Sequence, residues 1–472
     1  MAVCIIGAGL AGLTLSIYLK LNKPNIKVVL IDNKRSGNTM VAGQRYRPLI
    51  NKDKNKSEEV FLELLRQRNN NLITKEMKIF STIAKQELEF WTRLNPKELG
   101  IDSFSLFWDQ KDTWFGPQFG QPNRAGQGRG KNVLSWLQNL AINLDVKIIN
   151  GTVTKLNTKD NIIDSINLNY KNDMYCINCD DFVLAGGNIG GSLFNSTNVP
   201  INFSPQELAY DAGIELVGGT INMFHILGNS NEKGEIKVGC YETDNLDNCK
   251  IYLYDKNSRD FTIYDEKTTK LLTDHQAHYH FKDIAKRFLE HGGLVRIVNS
   301  DNKIYYGRVS HHYSHLGIKT TDGTKIKGFF NLYAIGDASN TGYWSGFKVR
   351  YPGMALSNCL VTSKLVSESI LNNNILKNNI KITKENSFDL DFNDFSILKN
   401  INTNSIMDIE FDLHDNVDKI KIWRANLKKI EKLMPKSTLL KISQNLTYAF
   451  EQNFYRNEPI SICNVEFLDH AS

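Results

Sequence analysis

The residues best placed to do chemistry in this 472-residue chain stand near its start. Gly7-Ala8-Gly9-Leu10-Ala11-Gly12 follows directly on the apolar run Ala2-Val3-Cys4-Ile5-Ile6 and leads into Leu13-Thr14-Leu15-Ser16-Ile17-Tyr18-Leu19, which has helical spacing. In a strand, glycine turn and helix of this kind, Gly7 permits the tight turn and Gly9 lets the backbone approach a pyrophosphate at the helix N-terminus. Gly12 lets helix and strand pack closely. A second apolar strand, Lys27-Val28-Val29-Leu30-Ile31, ends in Asp32, about 20 residues beyond the last glycine, where a carboxylate accepts hydrogen bonds from ribose hydroxyls. The motif in this context predicts a dinucleotide half-site that includes the Leu10 and Ala11 backbone. Far along the chain, Asn331-Leu332-Tyr333-Ala334-Ile335 is another apolar strand, and it ends in Gly336-Asp337. Two separated half-sites imply one long cofactor, and a late carboxylate of this kind serves the ribityl and pyrophosphate region of FAD.

The rest of the chain must position these residues. Its composition is that of a globular protein, 41% hydrophobic and 10% aromatic, long enough for two or three domains. The 57 basic and 51 acidic residues give a formal net charge of +6 without an arginine-rich arm, so no nucleic-acid partner is expected. Met1 runs straight into a strand without a signal-type leader, which predicts a cytoplasmic protein. No window approaches the roughly 18 apolar residues of a membrane span. Seven cysteines, with Cys176 and Cys179 forming the one CxxC pair, argue against a disulfide framework and against a zinc site. His275, His278 and His280 form a His-x-x-His-x-His string without a clear acidic or thiol partner, and no metal is expected there.

Between the two half-sites the sequence resembles L-aspartate oxidase and, more distantly, the flavoprotein subunits of fumarate reductase and succinate dehydrogenase. Ser36-Gly37-Asn38-Thr39 with Ala42-Gly43 is similar to that family's loop beside the pyrophosphate and flavin. Val183-Leu184-Ala185-Gly186-Gly187 is similar to its Val-Leu-Ala-Thr-Gly-Gly strand end. Ser204 to Gly213 and Ile221-Asn222-Met223-Phe224-His225 match the helix and strand leading to its Gln-Phe-His-Pro-Thr, although here Ile226-Leu227 follow the histidine. His312-Tyr313-Ser314 with Gly317-Ile318-Lys319-Thr320 resembles its His-Tyr-Thr-x-Gly-Gly segment. Arg350, then Ala355-Leu356 and Cys359-Leu360-Val361, match its substrate arginine and the helix whose N-terminus faces the flavin pyrimidine. The blocks keep the family's order over roughly residues 1 to 370.

The resemblance implies hydride transfer between flavin N5 and the carbon beside a carboxylate, with cations gripping carboxylates and a positioned acid or base. His225, His312 and Arg350 fall at the clamp positions, and a guanidinium can grip a carboxylate bidentately. Where the family carries its proton-transferring arginine this chain has Lys282, with His278 and His280 just upstream. The implied cofactor contacts are Gly7, Gly9, Leu10, Ala11, Gly12, Asp32, Asn33, Ser36, Thr39, Ala42, Gly43, Val153, Ala185, Gly186, Gly187, Gly336, Asp337, Ala355 and Leu356. The segment Gln118-Phe119-Gly120-Gln121-Pro122-Asn123-Arg124 lacks the histidine used for covalent flavin attachment, so FAD is expected to bind noncovalently.

The expected architecture is α/β: a Rossmann-like FAD-binding domain over residues 1–220 and 311–375, an inserted α+β capping domain over 221–310, and a short helical C-terminal appendage over 376–472. Within the appendage two stretches, Asp418 to Met434 and Ser437 to Phe454, have helical spacing. The expected function is an FAD-dependent oxidoreductase acting on a small carboxylate or amino acid. Two alternatives stand beside it: a biosynthetic flavin dehydrogenase or desaturase of another substrate that uses Lys282 or a histidine as base, and a flavin-binding subunit without its own turnover. The oligomeric state is left open.

Overall fold

The computed structural model describes residues 1–33, 37–41, 73–93, 105–107, 118–120, 129–192, 203–219, 222–240, 249–264 save 256, 282–321, 324–340, 354–373, 380–384, 396–410, 416–456 and 461–462, with a few isolated positions besides. The amino-terminal apolar run is strand β1 (Ala2–Ile6), buried at every position. It lies parallel to β2 (Lys27–Asp32), with Ile5 opposite Leu30, and to β9 (Asp181–Leu184), with Ile5 opposite Val183. Strands β5 (Lys147–Asn150) and β18 (Leu332–Ala334) complete an all-parallel sheet in the order β18-β9-β1-β2-β5. The late Gly-Asp strand is thereby brought beside the β9 strand end.

Parallel strands need crossovers that cover both faces, which is why these runs are continuously apolar rather than alternating. Val3, Ile5, Val28, Leu30, Val183 and Tyr333 enter one core, with α1 (Leu10–Asn22), α2 (Lys75–Arg93), α3 (Arg129–Asn143) and the later helix 354–372. Cys4, Ile6, Val29, Ile31, Phe182 and Ala334 face the other core. Each Val, Leu, Ile or Phe side chain moved from water into these cores contributes roughly 1.5–3 kcal/mol.

The second face is covered by an antiparallel sheet of β6 (Thr152–Lys159), β7 (Ile162–Tyr170), β8 (Asp173–Asn178) and β20 (Lys381–Lys384). Its two tight turns are Asp160-Asn161 and Lys171-Asn172, all four residues at positive φ, the conformation that matches the twist of a two-residue hairpin. The short helix α4 (Pro205–Asp211) lies on the same side and begins with a full capping box between Ser204 and Glu207. A small sheet in the order β19-β17-β10-β21 joins β10 (Leu216–Val217), β17 (Gly317–Lys319), β19 (Ser339–Asn340) and β21 (Ser461–Ile462). The short strands β3 (Ser105–Phe107) and β4 (Gln118–Gly120) pair with each other.

A six-stranded antiparallel sheet forms a separate unit. Its strands are β11 (Asn222–Ser230), β12 (Ile236–Cys240), β13 (Lys250–Asp255), β14 (Asp260–Tyr264), β15 (Leu294–Val298) and β16 (Ile304–Ser314). Helix α5 (Lys282–Glu290) packs Ile284, Ala285 and Phe288 onto Ile251, Leu253, Val295 and Ile297, giving this unit its own α+β core.

Helix α6 (Met354–Asn372) returns to the parallel sheet and lies along α1. The carboxyl-terminal segment holds three helices where the sequence pattern indicated two: α7 (Ser396–Glu410), α8 (Asn416–Glu431) and α9 (Thr438–Arg456). Asn400, Asn402 and Asn404 weaken the helical signal of α7. Asn402 nonetheless sits in the helix because its amide is used: Trp423 Nε1 donates to its Oδ1 at 3.1 Å and its Nδ2 donates to Ser443 at 2.6 Å. Trp423 and Leu446 enter the second core, and Thr438 donates to Asp211 at 2.6 Å, so these helices are part of the main packing.

Candidate active site

The glycine turn is built by close approach. Gly7 has φ +114°, its amide donates to the Ile31 carbonyl at 2.8 Å, and a Cβ there would lie 2.6 Å from the Ala185 backbone. At Gly12 a Cβ would lie 1.9 Å from the Gly7 carbonyl oxygen. Gly9 differs from both: a Cβ there would meet only the Thr39 hydroxyl, 3.8 Å away. Space is therefore left in front of α1, whose leading amides have no partner within the helix. Thr39 accepts from the Leu10 amide at 3.2 Å, which brings the segment after Gly37 up to the helix start. Ala11 follows in the same turn. Asp32 closes β2 and is half-buried, as is Asn33, and the Asp32 carbonyl accepts from the Gly151 amide at 2.8 Å. Val153, two residues on, points its side chain into the second core. Ser36, Ala42 and Gly43 lie outside the described residues.

The second half-site converges on the first. The Ala185 amide donates to the Ile6 carbonyl at 2.8 Å, so Ala185-Gly186-Gly187 leaves β9 beside the glycine turn. Gly187 has φ +84° and open space where a side chain would stand. Gly336, at φ +59°, would place a Cβ 3.0 Å from that of Ala11 and 3.2 Å from the Cys359 sulfur. Helix α6 fastens this turn: the Gly336 amide donates to Thr362 at 2.9 Å, Asn358 donates to the Gly336 carbonyl at 3.0 Å, and Ser363 donates to the Ala11 carbonyl at 2.8 Å. Ala355 and Leu356 stand half-buried in the first turn of α6. Fully buried Gln206 offers its Nε2 to three carbonyls, Gly187 at 3.2 Å, Leu316 at 3.4 Å and Asp337 at 3.4 Å. Gln206, Asn358, Thr362 and Ser363 had no motif to mark them; the capping box around Gln206 is the one local signal.

Strand β16 brings the candidate His312 together with His311 and Tyr313. Met223 and Phe224 are consecutive on β11 but pair with Tyr313 and His311, so His312 is the extra residue of a bulge. Bulges re-aim a side chain without ending a strand. Tyr313, which the sequence reading did not single out, donates its hydroxyl to the Asp337 carboxylate at 3.1 Å. His311 is fully buried, edge-on to Phe224 with ring centres 5.4 Å apart, and its Nε2 lies 3.4 Å from Asn222 Oδ1.

Burial lowers the His312 pKa to about 4, and the nearby Asp337 carboxylate offsets only part of the effect. Burial also lowers His311 to about 3, with His312 adding to the shift. Both rings are therefore neutral at pH 7 in the free chain, and His312 is a hydrogen-bonding group there rather than a fixed cation. His225 lies on β11 opposite Ser310, and Lys282 opens α5. The side chains of these two lie outside the described residues, as do Arg350 and the string His275, His278 and His280.

No protein-family model matches the sequence, and no curated protein matches it. Solved structures do match. The E. coli quinol fumarate reductase chain FrdA is 14% identical with a TM-score of 0.62, over 96% of this chain and 86% of that one. The Sdh1 complex of Mycobacterium smegmatis gives 16% identity and a TM-score of 0.61, over 95% and 86%. A quinol-fumarate reductase solved with menaquinol gives 15% and 0.64, over 96% and 90%. Among the described residues no helix is long and apolar enough to cross a membrane. The parallel sheet, the inserted antiparallel unit and the returning Gly-Asp turn make this chain a mixed α/β protein with the fold of the fumarate reductases.

Proposed function

We propose that the chain is an FAD-dependent oxidoreductase that transfers a hydride between flavin N5 and a small carboxylate or amino-acid substrate, with the cofactor held noncovalently. The observation that carries this reading is the convergence of two distant half-sites, in which a Cβ at Gly336 would come within 3.0 Å of the Ala11 side chain while space stays open at Gly9. That space suits a pyrophosphate at the α1 N-terminus. Asp32 and Asn33 would hold the adenosine ribose, and Thr39, the Ala185-Gly186-Gly187 turn and Asp337 would line the middle of the cofactor. Ser36, Ala42, Gly43, Val153, Ala355 and Leu356 complete the proposed contacts. FAD, when bound, supplies a two-electron hydride acceptor.

The protein's own share is grip, orientation and proton movement. Arg350 would clamp the substrate carboxylate bidentately, and His225 and neutral His312 would donate or accept hydrogen bonds to it. Lys282 would serve as acid or base if the cleft lowers its pKa. In this proposal residues 221–310 act as a cap over the cofactor domain, 1–220 and 311–375, so that cap movement excludes water.

The test is anaerobic stopped-flow absorbance of the flavin-loaded protein against L-aspartate, succinate, fumarate and other dicarboxylates and amino acids. Bleaching by one of them, lost on Arg350→Ala with FAD still bound, is the expected result. Bound flavin that no carboxylate reduces or reoxidises would favour a flavin subunit without turnover. Protein that does not retain FAD at all would overturn the proposal.

A further inference from the structure

The carboxyl-terminal helices carry a charge feature that the flavin site does not use. Helix α8 turns Ile420, Trp423, Leu427 and Ile430 inward, at the spacing of one helical face. The opposite face exposes Lys421, Ile422, Ala425, Lys428 and Lys429, and the turn that follows exposes Lys432, Leu433 and Lys436. Residues 416–441 hold eight Lys or Arg against two Asp or Glu, a net +6 equal to the formal charge of the whole chain. The remainder of the protein is charge-balanced. Arg424 is paired with Glu451, and Lys421 lies 3.1 Å from Asp418. Among the described residues Lys428, Lys429, Lys432 and Lys436 have no carboxylate within ion-pair distance.

Two large apolar side chains stand among these lysines: Ile422 is 55% exposed and Leu433 is 73% exposed, the highest value among the exposed large hydrophobic residues. A purely solvated basic face gains nothing from them. On an anionic bilayer surface they can enter the headgroup and acyl boundary while flexible lysine stems carry their charges to the lipid phosphates and carboxylates. The cations are lysines rather than arginines, and the helix's tryptophan is buried, so neither planar forks nor stacking aromatics favour a nucleic acid.

We infer that the exposed face of α8 and the turn after it form a peripheral docking surface for an anionic lipid bilayer. The interaction is reversible, because each lysine near such a surface contributes only about fivefold in partitioning and salt screens it. The inference stands on surface charge and exposure and does not depend on the flavin reading.

Co-sedimentation of the full chain with vesicles of phosphatidylcholine alone, or of phosphatidylcholine mixed with phosphatidylserine, tests it. The expected result is binding to the phosphatidylserine vesicles only, weakening as salt rises. The variant K428E/K429E/K432E should lose at least about 100-fold in partitioning, with an unchanged circular dichroism spectrum because all three side chains are exposed. The variant I422S/L433S should lose several-fold while keeping the salt dependence. Failure of the native chain to bind phosphatidylserine vesicles overturns the inference, as does undiminished binding by either variant. Binding to duplex DNA or polyglutamate in preference to vesicles likewise overturns it and assigns the surface to another polyanion.

Discussion

The pair His311 and His312 gives the most direct handle on the electrostatics beside Asp337. In the open chain a histidine titrates at about 6.5, whereas burial holds His312 at about 4. The unfolded state therefore binds this proton first as pH falls. The stabilising effect is complete above 6.5 and is lost progressively as pH drops toward 4. Between pH 7 and pH 5 the loss at His312 comes to ~2 kcal/mol. A plain stability curve would hide it. Burial pushes the carboxyls of Glu87 and Asp181 up to about 7, with the charges around them of mixed sign. Their contribution is present at low pH and lost as pH rises through 7, so acidification from 7 to 5 returns ~2 kcal/mol at each. With His311 behaving like His312, the changes at these two pairs run in opposite directions and largely offset each other. The informative quantity is the difference between native protein and His312→Gln. In denaturant unfolding at pH 7 and pH 5, the native chain should lose ~2 kcal/mol more than the variant. Carbon-13 NMR of histidine-labelled protein should show one ring, absent in the variant, that titrates near 4. A ring that titrates near 6.5, or a stability difference independent of pH, would refute the argument that this strand position is desolvated.

Other positions test the same structure. Glu87 on α2 is buried, and burial is the main reason its pKa lies near 7, with Lys364 opposing the shift. Glu87→Gln should therefore raise stability by ~3 kcal/mol at pH 8, falling to ~1 kcal/mol at pH 5 and vanishing only below the unfolded carboxyl range, in parallel denaturant titrations. Gly187 and Gly336 both have positive φ, but Gly187 has open space beside it and Gly336 does not. Gly187→Ala should cost ~1 kcal/mol, the backbone penalty alone. Gly336→Ala should cost ~1–3 kcal/mol more from overpacking against Ala11 and Cys359, with weaker FAD retention, in unfolding and flavin-release measurements. Equal costs at the two glycines would show that the Gly336 turn does not bear on α1.

The parts of this fold that could be read from the sequence are those fixed by local physics. Ala2–Ile6, the glycine turn and Leu10–Asn22 announce themselves because a buried parallel strand must be apolar throughout and because only glycine fits at Gly7 and Gly12. Leu332–Ala334 with Gly336-Asp337 is visible for the same reason. What the sequence could not display is how distant segments are tied. Gln206 is one residue of a short helix until the folded chain places three carbonyls from separate segments around it. Thr362 and Ser363 look like ordinary polar positions of a helix, yet one accepts from Gly336 and the other donates to Ala11. The extra carboxyl-terminal helix, α7, was hidden because its asparagines oppose helix formation locally, and the hydrogen bonds of Asn402 with Trp423 and Ser443 exist only after packing.

The bulge at His312 carries the same lesson into the chemistry. Sequence spacing alone places His311 and His312 on opposite faces of a regular strand, one inward and one outward. Inserting one residue against Met223-Phe224 removes that choice: the His311 ring is fully buried, the His312 ring is half-buried, and Tyr313 reaches Asp337 at 3.1 Å. A histidine that is neutral in the free protein grips no carboxylate by charge. A dianionic substrate arriving beside it would raise its pKa and draw in a proton, so binding of such a substrate would be coupled to proton uptake at His312. The permanent positive charge of the proposed clamp must then come from Arg350, whose guanidinium stays protonated at any pH the fold survives. If Arg350 is the proposed clamp, carboxylate affinity should persist across pH, and the proton uptake expected on binding a dianion should disappear in His312→Gln.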